Sequence, residues 1–204
     1  MVKVLDCTFR DGGYYTGWTF EKHLAKSWVK ASIDAGCNLV ELGYYRPVPE
    51  VGPYEHVNSS TVGQVSDQPD RLCRMIDFKD ILYWAPGYRI NKVPLDPVTT
   101  RLAIKADQID EAASTLKRLG TSGKVPILNV MGAASLSEDQ LKRFVDQANQ
   151  YDLQALYFAD SFGSMTPSDV VKTSKIFCDG SRHEIGFHAH ANQGLELANA
   201  IAAM

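Results

Sequence analysis

The sequence predicts an α/β fold, a (β/α)8 TIM barrel that stops before its eighth strand. Three observations predict it. Short apolar runs alternate with helical patterns seven times along the chain. Polar and titratable residues collect at the C-terminal ends of those runs, where such barrels carry their function. The 204 residues fall about one strand–helix unit short of a typical barrel of roughly 250 residues. The expectation is therefore one domain over residues 1–204, with the last part of the barrel supplied by further chain or by another subunit, because open sheet edges are a liability.

The elements follow in order. Val2–Phe9 reads as the first strand, ending in Arg10, Asp11 and the pair Gly12 and Gly13. These glycines make a tight turn or let a substrate approach the backbone. "FEKHLAKSWVKASIDAG" reads as a helix, with Leu24, Trp28 and Ile33 at helical spacing and Gly36 as the stop. Asn38–Tyr45 reads as strand two. The stretch from Arg46 to about Ser66, rich in Pro, Gly and Ser, reads as a long functional loop or lid. "PDRLCRMI" reads as a short helix and Ile81–Tyr88 as strand three. The proline-marked loop "NKVPLDPVTT" precedes strand four, Arg101–Ala106, and a helix ending at Gly120.

The second half keeps a cleaner beat. Val125–Gly132 is strand five, followed by a helix with Ser137 as cap and Gln140 at the capping-box position. Ala155–Ser161 is strand six, followed by a helix with Thr166 as cap and Pro167 at its first position. "EIGFHAH" is strand seven, and "GLELANAIAAM" begins a helix.

Composition excludes several classes. A net charge of −3 gives no electrostatic footprint for nucleic acid, and no apolar run is long enough to cross a bilayer. The start lacks the blocks of a signal peptide, which predicts a cytoplasmic protein with reduced thiols. Cys7, Cys37, Cys73 and Cys178 form no CxxC pair and read as free, mostly buried thiols.

His188 and His190 are separated by one residue at the end of strand seven, so on a strand they share a face. Alone, HxH fits two partly buried histidines at least as well as a ligand pair. Asp11 at the matching end of strand one tips the reading to a metal site. Two imidazoles and a carboxylate suit Mn²⁺ or Mg²⁺, with Zn²⁺ or Co²⁺ as alternatives, and leave positions open for substrate and water. Arg10 is a barrel-mouth ion-pair partner or a fixed cation facing a developing enolate oxygen. Glu41, inside an apolar run, needs a partner if buried. Pairing with Arg10 and a catalytic role fit equally. Asn129, Asp160, Ser161 and Asn192 lie at the ends of strands five to seven and are candidates for substrate contact. Asp160 and Ser161 also fit as caps. Lys105 raises a Schiff-base reading, but a salt-bridged lysine fits better. Tyr14, Tyr15, Tyr44 and Tyr45 read as aromatic packing near the mouth.

Four segments then carry a resemblance. "LDCTFRDGG", "VELGYYR", "FADSFG" and "GFHAHANQGLELAN" occur in that order. Together they resemble the metal-dependent aldolase and lyase superfamily that includes hydroxymethylglutaryl-CoA lyase, isopropylmalate synthase and 4-hydroxy-2-oxovalerate aldolase. The catalytic domains of the last look most similar. The resemblance implies a divalent ion held by Asp11, His188 and His190, and Arg10 stabilising an enolate while a carbon–carbon bond breaks or forms beside a 2-oxo acid. The small-molecule partners would be a 2-oxo acid and an aldehyde, and a homodimer is compatible. Tyr14 stands where those aldolases carry a proton-transferring histidine, so a tyrosine hydroxyl or a water takes that role. Gly13 and Tyr14 also depart from the synthases' "RDGEQ", and Ala191 is a further departure. The family's eighth strand and the aldolases' C-terminal helical domain fall outside these residues. Two other readings stay open. One is a Claisen-type synthase joining an acyl-CoA to a 2-oxo acid, and the other is a non-catalytic or assembly-dependent barrel fragment.

Overall fold

A computed structural model describes residues 2–46, 52–83, 98–120 and 125–204. Its seven strands, in the order β1 to β7, follow the chain, and the class is α/β. This is the strand order of a (β/α) barrel through its seventh strand. By internal contacts the chain divides into two compact units, Met1–Arg101 with 121–124, and Leu102–Gly120 with Val125–Met204. Among the described residues no helix is long and apolar enough to cross a membrane.

In the first unit, β1 is Leu5–Asp6, α1 Thr8–Thr16, α2 Lys22–Asp34, β2 Leu39–Tyr44, α3 Ser59–Val65, β3 Leu72–Asp77 and α4 Phe78–Tyr83. β1 pairs in parallel with β2, and β2 with β3. The first strand is shorter than its apolar pattern suggests. Helix begins at Thr8, whose N–H donates to Asp6 Oδ1 at 2.9 Å. Arg10 and Asp11 therefore sit in the first turns of a helix, and Gly12 and Gly13 lie inside it and make no turn. A glycine in a helix costs roughly 1 kcal/mol against alanine. Gly13 is required nonetheless, because a Cβ there would overlap the Trp18 indole. The helix stops at Gly17, which takes φ 61°.

Three further expectations on this unit are corrected. The buried face of α2 is Ala25, Val29 and Ser32, one position away from the expected Leu24, Trp28 and Ile33. Small side chains bring the helix close to the sheet. Leu24 is exposed, and Trp28 lies across the margin with its Nε1–H on Asp6 Oδ2 at 2.9 Å. Strand three is Leu72–Asp77, where a helix was expected. Its polar Arg74 is buried because it donates to Val57 O and Thr100 Oγ1 and lies over the Tyr45 ring. Of the expected strand Ile81–Tyr88, residues 81–83 belong to α4 and the rest lies outside the described residues, as do 91–97 of the following loop. Within Arg46 to Ser66, residues 47–51 are likewise outside. The remainder holds a 3₁₀ turn, Pro53–Glu55, and α3, capped by Asn58 with a capping box.

β4, Thr99–Ile104, is wholly buried. The second unit continues with α5 Ala113–Gly120, β5 Ile127–Val130, α6 Glu138–Ala148, β6 Ala155–Ala159, α7 Pro167–Gly180, β7 Glu184–His188 and α8 Glu196–Ala202. The expected caps are present: Ser137 with Gln140 on α6, and Thr166 with Pro167 on α7. β5, β6 and β7 pair in parallel, register Asn129↔Tyr157↔Gly186 and Ala159↔His188. Phe158 packs on Phe177 of α7 and on Phe187. By alternation Asn129, Tyr157, Gly186 and His188 take the opposite face. Cys73 is the buried thiol. Cys7 and Cys37 are half-buried and Cys178 is exposed, with none of the four in a disulfide, so the thiols are less buried than expected.

Asp6 ties β1 to both helices that follow. Burial pushes its carboxyl up, but hydrogen bonds from Thr8, Ser32 and Trp28 bring it below the usual value. A depressed carboxylate adds stability above its unfolded value of about 3.9, and that stability is lost as pH falls through the folded value. Asp6→Asn is expected to lower the unfolding free energy at pH 7 by about 1 kcal/mol, a deficit that shrinks as pH falls below about 3.9 and on through the folded value. Urea unfolding at pH 7 and across that acid range checks this. A deficit that stays constant would contradict it.

Candidate active site

In the first unit the site is built around a carboxylate with no exposed surface. Glu41 on β2 is 0% exposed. Its Oε2 receives Arg10 Nε at 2.6 Å and its Oε1 faces Arg101 Nε at 3.2 Å. Glu41 is thus a shared counter-ion and does not reach the surface. Arg10 Nη1 lies 2.8 Å from Asp11 Oδ1 and donates to Tyr44 Oη at 3.4 Å. Burial works against the Arg10 charge, but Glu41, Tyr44 and Asp11 hold its proton more firmly than usual. Asp11 keeps 40% of its side chain exposed. Cys7, beside this cluster, is pushed up to about 12 by burial and by Glu41.

Arg10 and Tyr14 are four residues apart on α1 and so share a face. Tyr14 is 59% exposed, and its Oη lies 2.7 Å from Tyr44 Oη. Tyr44 is buried, which raises its hydroxyl above the usual value. Trp18 donates Nε1–H to Arg10 O and stacks edge-on against both tyrosines. The Arg46 guanidinium lies over the Tyr44 and Trp18 rings and is ion-paired to Glu55 and Asp80. Tyr15 stands 94% exposed and has no part in this packing.

In the second unit the residues gather after β6 and β7. Asp160, 0% exposed, accepts Ser164 N–H on Oδ1 and Met165 N–H on Oδ2. Its carboxylate builds its own loop, so the capping alternative describes it. His190 lies two residues past the end of β7, which corrects the assumption that both histidines share one strand. They still meet, with ring centroids 4.8 Å apart and the planes near perpendicular. His190 Nδ1 is 2.8 Å from the Asp160 carbonyl oxygen. A carbonyl only accepts, so Nδ1 carries a proton, and in the neutral ring the lone pair is then on Nε2. This is the tautomer that metal-binding histidines adopt, with a backbone carbonyl as outer partner. The donor set therefore fits a divalent ion.

Ser161 Oγ accepts Gly132 N–H at 2.8 Å and lines a mainly apolar cavity of about 730 Å³ with Met131, Phe144 and Phe162. Lys105 reaches that cavity from an exposed position after β4, which removes the buried setting a Schiff-base lysine needs. Asn129 is buried, and its Oδ1 has no hydrogen-bond partner among the described residues. An orphaned buried acceptor costs about 1–3 kcal/mol unless something else fills it. Asn192 is exposed and packs against Gly163, which takes φ 56° and leaves no room for a Cβ.

Sequence reasoning missed two residues. Arg101 is the second cation on Glu41, signalled by an arginine in the middle of an apolar strand. Tyr44 links Arg10 to Tyr14, and only its position three residues after Glu41 hinted at this.

No family model matches the chain. A 4-hydroxy-2-oxovalerate aldolase of Chloroflexus aurantiacus is 30% identical over 211 residues, 99% of this chain and 60% of that protein. The same-named protein of Geobacillus genomosp. 3 is 23% identical over 206 residues, 100% of this chain and 61% of that protein. This chain is similar in sequence to these aldolases along its whole length. It spans about three-fifths of the length of the curated relatives it matches. Among solved structures, the N-terminal domain of a Bacteroides vulgatus protein described as a candidate aldolase superposes with TM-score 0.84. It is 28% identical, over 99% of this chain and 69% of that one. The HMG-CoA lyase of Brucella melitensis superposes with TM-score 0.71 at 13% identity, over 99% and 76%. That likeness shows the shared fold.

Glu41→Gln keeps the size and removes the charge shared by two buried guanidiniums. Breaking a buried ion pair from one side costs about 3–5 kcal/mol, and urea unfolding is expected to show a loss in that range. A loss under about 1 kcal/mol would mean that Glu41 is not the counter-ion.

Proposed function

We propose that this chain carries the catalytic groups of a divalent-metal-dependent aldolase acting on 4-hydroxy-2-oxo acids, which it would split to a 2-oxo acid and an aldehyde, or form from them. The observation that carries this reading is the fixed His190 tautomer beside His188. It prepares two imidazole donors in a chain similar in sequence to 4-hydroxy-2-oxovalerate aldolases. Asp11, His188 and His190 would hold the ion, with Mn²⁺ or Mg²⁺ favoured and Zn²⁺ or Co²⁺ compatible. When bound, it would supply Lewis-acid polarisation of the 2-oxo acid's oxygens.

The chain's own residues would do the rest. Arg10 would offer its guanidinium to the enolate oxygen as charge develops there, worth several kcal/mol in a dry site. Glu41 would act as a positioning residue, because its buried carboxylate sets the direction of the Arg10 fork. Asp160 would hold His190 in its tautomer through the backbone and shape the loop through its side chain. Asn129 would place its unpartnered acceptor against a substrate hydroxyl. Ser161 and Asn192 would line the substrate's approach. Tyr14 would handle the proton on the hydroxyl that becomes the aldehyde oxygen.

The test is 2-oxo-acid release from 4-hydroxy-2-oxo acids with added Mn²⁺. Asp11→Ala and His188→Ala are each expected to lower kcat/KM by about 10²-fold or more. Activity unchanged in both would remove the metal assignment.

A further inference from the structure

Resting on the aldolase reading, we propose that Tyr44 is a positioning residue for proton transfer, the middle member of an Arg10–Tyr44–Tyr14 hydrogen-bond chain that aims the Tyr14 hydroxyl at the substrate. The proposed chain is ordered outward from Arg10. Arg10 can only donate, so Tyr44 Oη accepts from Nη1. The Tyr44 hydroxyl hydrogen is then available to its other neighbour, Tyr14 Oη at 2.7 Å. In the proposed direction Tyr14 Oη accepts it, which leaves the Tyr14 hydrogen for the substrate, on a side chain that is 59% exposed. The chain thus begins on the cation that faces the enolate and ends on an outward-pointing hydroxyl.

The surroundings hold Tyr44 in place. Its ring is covered by the Arg46 guanidinium at 4.6 Å and by Trp18 edge-on at 5.8 Å. Trp18 is itself fastened to the Arg10 carbonyl. Arg46 is held by Glu55 and Asp80. A hydroxyl fixed on both sides suits orientation more than exchange with solvent.

The step balances. In bond formation, the enolate carbon attacks the aldehyde carbon, the C=O π pair moves to oxygen, and the Tyr14 O–H gives that oxygen its proton. The Tyr14 oxyanion left behind is stabilised by the hydrogen bond from Tyr44, and water re-protonates it. In cleavage, Tyr14 first gives its proton to water and its oxyanion then takes the C4 hydroxyl proton, the O–H pair becomes the aldehyde C=O, C3–C4 breaks, and its pair passes to the enolate. The enolate later takes a proton from solvent at C3.

The experiment compares Tyr14→Phe, Tyr44→Phe and the double variant in two Mn²⁺-supported assays of the full chain. One is aldol cleavage, and the other is exchange of the pyruvate methyl protons with deuterated water. Exchange needs enolate chemistry but no aldehyde oxygen. Tyr14→Phe is expected to lower cleavage kcat by about 10²-fold or more. Tyr44→Phe should lower it about 10-fold with little change in KM, and the double variant should match Tyr14→Phe alone. In all three, cleavage should fall by more than pyruvate exchange, which reads enolate formation without the aldehyde step. Exchange intact with Tyr44→Phe cleaving at the wild-type rate, or with the two effects multiplying, would overturn the relay and leave the aldolase reading standing. Wild-type protein active in neither assay would overturn the aldolase reading and the relay together.

Discussion

A single buried carboxylate organises the first unit. Glu41 has no contact with solvent, yet its carboxylate lies against both Arg10 and Arg101. Desolvating those three groups is expensive, and only their mutual attraction offsets it. The constraint reaches outward. Arg10 is fixed by Glu41, so its neighbour Asp11 is fixed on the first turns of α1, and Tyr14 one turn further on. Of the two glycines that weaken this helix, Gly13 is required because Trp18 fills the space a Cβ would take. Trp18 in turn fastens the helix through the Arg10 carbonyl. A helix too short to be stable alone is thus held by an ion pair and an indole.

The second unit solves a similar problem with backbone groups. The Asp160 carboxylate spends both oxygens on its own loop. Its carbonyl then meets His190, and its N–H meets the His188 carbonyl. One residue thereby sets the loop's shape, the pairing to the end of β7 and the orientation of an imidazole. Gly163 completes the loop at a φ that other residues rarely take, against Asn192.

Much of this was legible before any coordinates. β2 and β4 to β7 are apolar runs of strand length bounded by turn residues or caps, and local chemistry suffices to find them. β3 was not legible, because Arg74 and Asp77 break its pattern and only a carbonyl and hydroxyl from elsewhere make Arg74 tolerable there. The helical start at Thr8 was hidden by apolar residues around it and by two glycines that read as a turn. Arg10, Asp11, Glu41 and the histidines were legible as chemistry-bearing types at strand ends. The pairing of Glu41 with Arg10 stood as an open alternative until the 2.6 Å contact decided it. The roles of Tyr44 and Arg101 depend on which side chains α1 and β4 bring to the same face, and that is a property of packing.

The central claim is that Asp11, His188 and His190 supply the donors for one divalent ion. Calorimetric titration of Mn²⁺ into chelator-treated protein tests it most directly. The account predicts about one site per chain, weakened about 10²-fold or more by His190→Ala and by Asp11→Ala. Mn²⁺ binding of wild-type strength in both variants would contradict it.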